Sequence, residues 1–289
     1  VRQVSSMAPN VRVIPNKALY VSEPNPSMFG NGPNPGFDST WTNGNWLKSR
    51  FHFSFAEYNN YANLDFGVLR VMNDDLVQPH RGFGTHPHRD MEIITYIVDG
   101  QLTHKDSMGT SESLGRGSIQ FMTAGKGIMH SETNDGDKPL RFIQTWIKPA
   151  AYGLTPNYGS FDPSTVCEGT SEERKNSLQH LVSNVEDKST STPVEINQSV
   201  DAYAAEITKG EKVSLDLAEG RQAYLLCIEG GVTVNGKRLE KYDACEITGG
   251  GGSLEIVATD VEETENGLLA HILMFTMKAV PGAGRKDIS

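Results

Sequence analysis

The sequence predicts an all-β protein built from two β-barrels. Two observations carry that prediction. Short apolar or alternating runs, separated by Gly-containing turns, recur along most of the chain, and helical periods are few. One such unit, an apolar strand, an acidic-Gly turn and a return strand, occurs once in each half, as IITYIVDGQLTH and as YLLCIEGGVTVNG. Regular short strands of this kind close into barrels or sandwiches.

Residues 1–44 are rich in Asn, Pro, Gly and Ser and read as an N-terminal extension that buries little. Trp41 and Trp46 predict that its end packs onto the domain that follows. Residues 45–160 read as the first barrel. Phe51, Phe53 and Phe55 alternate with polar residues, and 66–72 reads as a strand closed by an Asn-Asp-Asp turn at 73–75. The β-prone run MEIITYIV at 91–98 ends at Asp99-Gly100, a hairpin turn that makes 101–107 its returning partner. Strands follow at 118–123 and 140–147. Residues 161–289 read as the second barrel, beginning in a loose connector that spans 150–200. Its strands fall at 213–217, 223–228, 242–248, 254–257 and 268–277.

Charge separates the halves. The chain carries 26 basic and 36 acidic residues, a net charge of −10, and residues 1–160 are balanced, so the whole excess lies beyond them. A chain this acidic is not a bulk electrostatic nucleic-acid binder, which needs a basic face to displace counterions, nor does it dock on an anionic membrane. No apolar run approaches the ~20 residues that span a bilayer. Cys167, Cys227 and Cys245 form no C-x-x-C and suit a reducing compartment, where each serves as a small buried hydrophobe. With no charged-then-apolar leader pattern, the expected location is the cytoplasm, and the nucleus as well.

Six of the eight histidines lie in the first half, where a metal or acid–base site is expected. His86 and His88 stand at i and i+2, which on a strand puts both imidazoles on one face. His130 and Glu132 repeat that spacing in TAGKGIMHSE. Two strands each supplying a same-face pair would assemble three imidazoles and a carboxylate, a common ligand set for first-row metals. Glu92 is a rival carboxylate, since 86, 88, 90 and 92 share a face on an unbroken strand; parity does not choose between Glu92 and Glu132.

The stretches HPHRDMEIITYIVDGQLTHKDSMG and IQFMTAGKGIMHSE resemble the cupin superfamily and, within it, the pirin family, bacterial pirin-like quercetinases above all. The resemblance extends through NWLKSRFHFSFAEYNN, VLRVMNDDLVQP and LRFIQTWIKPAAYGLTPNYG, and so covers about residues 45–160. It implies a bicupin, with the metal in the N-terminal barrel and a metal-free C-terminal cupin barrel beside it. It also implies that the ligands are His86, His88, His130 and Glu132, and that Glu92 is not one. Iron(II) is the ion the resemblance favours; manganese, nickel, cobalt, copper or zinc suit the same donors.

The activity implied is a flavonol (quercetin) 2,3-dioxygenase, which opens the flavonol ring with dioxygen and releases carbon monoxide. Glu132 would then be both ligand and general base toward the flavonol hydroxyl. The alternative is an iron-binding, redox-sensing co-regulator of transcription that works through protein partners. His104 and Asp106 are either partners that orient a ligand imidazole or satisfied strand residues. Phe53, Phe121, Met122 and Trp146 either line a pocket for an aromatic substrate or belong to the core.

Overall fold

The computed structural model describes residues 8–34, 44–165 and 173–280. Trp41 and Cys167 lie outside these residues; Trp46 is fully buried. The described chain forms two compact units, one of residues 20–34, 44–165 and 196–198, the other of residues 8–19, 173–195 and 199–280. Each unit holds a larger and a smaller antiparallel sheet, and the two units share one strand order.

In the histidine-bearing unit the larger sheet runs Asn157–Phe161, Ile119–Thr123, Glu92–Asp99, Leu140–Ile147, Leu69–Val77, Leu47–Phe51, Tyr20–Ser22. Its smaller sheet runs Arg81–His88, Ile128–Asn134, Leu102–Asp106, Ser111–Leu114. The other unit repeats the order: Asn10–Ile14, Ala244–Thr248, Arg221–Glu229, Gly267–Lys278, Val200–Ile207, Gln179–Asn184, Val194–Ile196 in the larger sheet. Its smaller sheet runs Lys212–Leu217, Gly252–Asp260, Gly231–Val234, Lys237–Glu240. The two matching runs of sequence, at 93–104 and 224–236, begin on equivalent strands, so the internal repeat is a repeat of the barrel.

The predicted hairpin at Asp99-Gly100 is not one. Glu92–Asp99 pairs with strands of the larger sheet and Leu102–Asp106 with strands of the smaller, so the chain changes sheets at this turn. Gly100 makes the crossing with φ +77, and a Cβ there would stand 2.3 Å from the Pro139 carbonyl oxygen. Gly230 does the same in the second unit, with φ +68 and the Asp260 carbonyl oxygen 2.6 Å from a built Cβ. An acidic-Gly pair is thus a sheet-switching corner in both barrels.

Three further expectations change. The described part of residues 1–44 is not a separate extension: Asn10–Ile14 pairs with Ala244–Thr248 and Tyr20–Ser22 with Leu47–Phe51, because each larger sheet has a strand whose backbone groups these segments satisfy. The connector at 150–200 likewise supplies sheet strands at Asn157–Phe161 and Gln179–Asn184. The Asn-Asp-Asp sequence is no turn. Asn73, Asp74 and Asp75 lie inside the strand Leu69–Val77, all buried. Asp74 is accommodated there by Arg141 on the adjacent strand, which donates from Nε at 2.9 Å and from Nη2 at 2.7 Å.

Candidate metal centre

The smaller sheet brings the two histidine motifs together. In the register of Ile128–Asn134, His130 lies opposite His86 on one side and Asp106 on the other. After a bulge between His130 and Glu132, Glu132 lies opposite Phe83 and His104. Candidate ligand atoms of His86, His88 and His130 fall within 4.8 Å of one another, and so do those of His104, His130 and Glu132. His130 belongs to both groups.

The imidazoles are in a state that could ligate a metal. The Nδ1–H of His86 donates to the Gly84 carbonyl at 2.7 Å, which leaves Nε2 as a lone pair, and that Nε2 lies 3.1 Å from Nε2 of His130. Two ring nitrogens this close need a proton or a cation between them. His88 and His130 are both pushed down to about 3, chiefly by burial and then by the neighbouring imidazoles, so both are neutral near pH 7. Neutral imidazole is the form that binds metal. The donor set therefore fits a divalent ion of the borderline kind.

Glu132, only 2% exposed, is oriented by neutral donors. Thr95 Oγ1 and Gln120 Nε2 donate to its Oε1 at 3.1 and 2.9 Å, and Gln144 Nε2 donates to Oε2 at 2.5 Å. Gln144 is itself fixed, because its Oε1 accepts from Trp146 Nε1 at 3.1 Å. Thr95 pairs in register with Gln120 and with Gln144, and Gln144 with Asn73, so one polar row crosses the larger sheet. Sequence reasoning missed this row. Its signal was an uncharged polar residue inside each of four β-prone runs. Replacing Gln144 with leucine should unpair Glu132 Oε2 and Trp146 Nε1 and weaken metal binding by roughly 10–100-fold, measured by competition against a chelating dye.

The other candidates separate cleanly. His104 Nε2 donates to Asp106 Oδ2 at 3.1 Å, and the buried His104 ring stacks on Tyr158 at 4.4 Å. Its Nδ1 has no hydrogen-bond partner among the described residues. Burial alone would raise the Asp106 carboxyl, but His104 and the amides of Thr110 and Met108 outweigh it and hold the group below the usual range. Glu92 does not face the histidines. Its Oε1 accepts from Asn197 N and Nδ2, each at 2.8 Å, and its Oε2 from Gln198 N at 2.8 Å, so it latches the 196–198 loop.

A cavity of about 310 Å³ opens beside His86 and His88. Its walls are aromatic: Phe29, Phe51, Phe55, Phe83 and Trp146. The Trp146 ring stands edge-on to His88 at 4.7 Å, and Phe29 lies 5.7 Å from His86. Of the residues expected to line a pocket, Trp146 stands here and Phe53, Phe121 and Met122 do not. The strand ends at Phe51, so the alternation that would have carried Phe53 to the same face is broken and its ring is buried in the core. Met122 packs with Ile93, Ala124 and Ile128.

Two cupin-type barrels, with a His/Glu cluster in one that could bind a metal, define a bicupin. The family model described as Pirin matches residues 37–147, and that of the quercetinase C-terminal cupin domain matches 181–275. A pirin-like protein of Caulobacter vibrioides is 39% identical over 202 residues, 70% of this chain and 84% of the relative. A quercetin 2,3-dioxygenase of Escherichia coli is 34% identical over 206 residues, 71% of this chain and 84% of the relative. The crystal structure of YhhW from Escherichia coli superposes with a TM-score of 0.74 at 28% identity, covering 94% of this chain and 99% of that one. The structure of the same bacterial pirin in complex with nickel(II) gives a TM-score of 0.73 at 27% identity, covering 94% and 100%. The chain belongs to the pirin family. Among the described residues, no helix is long and apolar enough to cross a membrane.

Proposed function

We propose that the protein is a metal-dependent flavonol 2,3-dioxygenase, with His86, His88, His130 and Glu132 holding one divalent ion, iron(II) by preference. The observation that carries this reading is the aromatic cavity of about 310 Å³ whose wall includes two of the three clustered imidazoles. A flat polyphenol suits such a slot, because aromatic faces stack on it while a few polar groups fix its orientation. The names of the quercetin dioxygenase relatives and the nickel-bound pirin of Escherichia coli support the substrate class and the presence of a metal.

The bound ion would lower the pKa of a coordinated hydroxyl and hold the resulting oxyanion. Glu132 would take the hydroxyl proton. Its three partners are neutral, so they orient the carboxylate without a competing cation. Trp146, Phe55 and Phe29 would exclude water from the ring that reacts.

The test is decay of the quercetin absorbance band in air by metal-loaded protein, with oxygen uptake and carbon monoxide measured together. Decay no faster than the protein-free control would end the dioxygenase reading. Glu132→Gln should lower turnover by roughly 10²–10⁴-fold; with metal content measured in the same samples, full activity would remove Glu132 as the base.

A further inference from the structure

We propose that Asp75 is the polar anchor of the cavity, a carboxylic acid that donates a hydrogen bond to an oxygen of the aromatic substrate and so fixes which edge of it faces the histidines. The inference rests on the reading of the cavity as a site for an oxygenated aromatic molecule. Leu69–Val77 alternates its side chains, so Asn73 and Asp75 line the cavity while Asp74 turns away to Arg141. Asp75 is only 2% exposed, yet the cavity reaches it. Close by on the same wall, Asn73 Oδ1 is buried without a hydrogen-bond partner among the described residues. A buried polar strip in a slot walled largely by aromatic and aliphatic side chains is what a ligand with oxygen atoms would complete.

Among the described residues, no cation is paired with Asp75. Ser49 is paired directly opposite it on Leu47–Phe51, and Phe142 is opposite on Leu140–Ile147. Arg141 is engaged by Asp74, and Arg50 and His52 act on Asp74 as well. The remaining charges that bear on it are negative, Asp74 on its own strand and Glu132 from the smaller sheet. The imidazoles of His86 and His88 and the carboxylate of Glu57, which accepts from Ser22 Oγ at 2.5 Å, line the same cavity. Burial pushes the Asp75 carboxyl up to about 8; the Ser49 hydroxyl, short of a well-formed hydrogen bond, pulls it down only in part, and Asp74 and Glu132 add to the rise. Near pH 7 the form that carries the proton the anchor donates is therefore favoured.

The experiment measures quercetin binding to the metal-loaded protein without oxygen, by fluorescence quenching, and then KM and kcat in air. Asp75→Leu should weaken binding by about tenfold or more and raise KM more than it lowers kcat. Asp75→Asn keeps a donor and should bind within about threefold of the parent at pH 7. Between pH 7 and pH 9 the parent should lose affinity beyond what Asp75→Asn loses, since the asparagine variant reports every ionisation except that of Asp75. Circular dichroism and metal content show whether each variant is folded and loaded. If Asp75→Leu binds like the parent, or if the parent and Asp75→Asn share one pH profile, the anchor is overturned. Turnover that is indifferent to Asp75 removes the anchor and leaves the dioxygenase. Binding that depends on Asp75 without oxygen uptake keeps the anchor and removes the dioxygenase. No binding at all removes both.

Discussion

Alanine at His130 is expected to abolish stoichiometric metal binding and, with it, flavonol turnover. His130 stands in the middle strand of its sheet region, between Arg81–His88 and Leu102–Asp106, and is the one residue shared by both candidate ligand groups. It is 2% exposed, so water does not replace the lost imidazole as it would at an open position. Loss of His86 or His88 would leave two imidazoles together; loss of His130 parts them from Glu132. The fall in affinity should exceed the roughly 10–100-fold typical of removing an outer partner of a metal ligand. Elemental analysis after dialysis and titration with iron(II) would measure it. His180 lies in the other unit beside Asp201, and its alanine variant serves as the control. A His130→Ala protein that still carried one ion per chain at near-parental affinity would refute the assignment.

The largest effect on stability is expected from Arg141→Met. Arg141 and Asp74 form a two-point ion pair in which Asp74 is fully buried and Arg141 is 5% exposed. Removing the cation leaves a buried carboxylate uncompensated, which costs about 3–5 kcal/mol and would show as a lower urea midpoint with little change in slope. Burial by itself would raise the Asp74 carboxyl. The charge and hydrogen bonds of Arg141, helped by Arg50 and His52, outweigh that and hold it below the usual carboxylate range. A depressed carboxyl stabilises the fold above its unfolded pKa, and that contribution is lost as pH falls through the folded value. The variant should therefore fall furthest behind the parent near pH 7 and close the gap as the pH is lowered below about 4. Replacing both partners, as Asp74→Leu with Arg141→Met, should recover much of the loss, because a pair of apolar residues leaves no charge unpaired. A single variant as stable as the parent would show that the pair does not hold these strands.

Much of the fold was legible because strand grammar is local. Alternation, β-prone runs and Gly turns depend on a few neighbouring residues, and the duplicated motif could be seen without knowing what pairs with what. The sheet assignment was not local. Asp99-Gly100 has the composition of a hairpin turn, and only the approach of Pro139 shows that the chain leaves its sheet there. The N-terminal segment looked unstructured because its partner, Ala244–Thr248, lies more than two hundred residues away.

The candidate site divides along the same line. The spacing of His86, His88, His130 and Glu132 was visible because a strand's period of two makes same-face neighbours predictable from the sequence alone. The state of the acidic residues was not visible. Glu92, Asp74, Asp75 and Glu132 are all buried carboxyl groups in the first barrel. One latches a loop, one is charged against an arginine, one faces an aromatic cavity with its carboxyl raised, and one is held by a row of neutral donors. The sequence by itself determined the strands, the duplication and the pairs of ligand-type residues. Only the tertiary structure decided what each carboxylate does, because its role depends on which groups the distant strands bring alongside: burial is outweighed by Arg141 at Asp74 and prevails at Asp75.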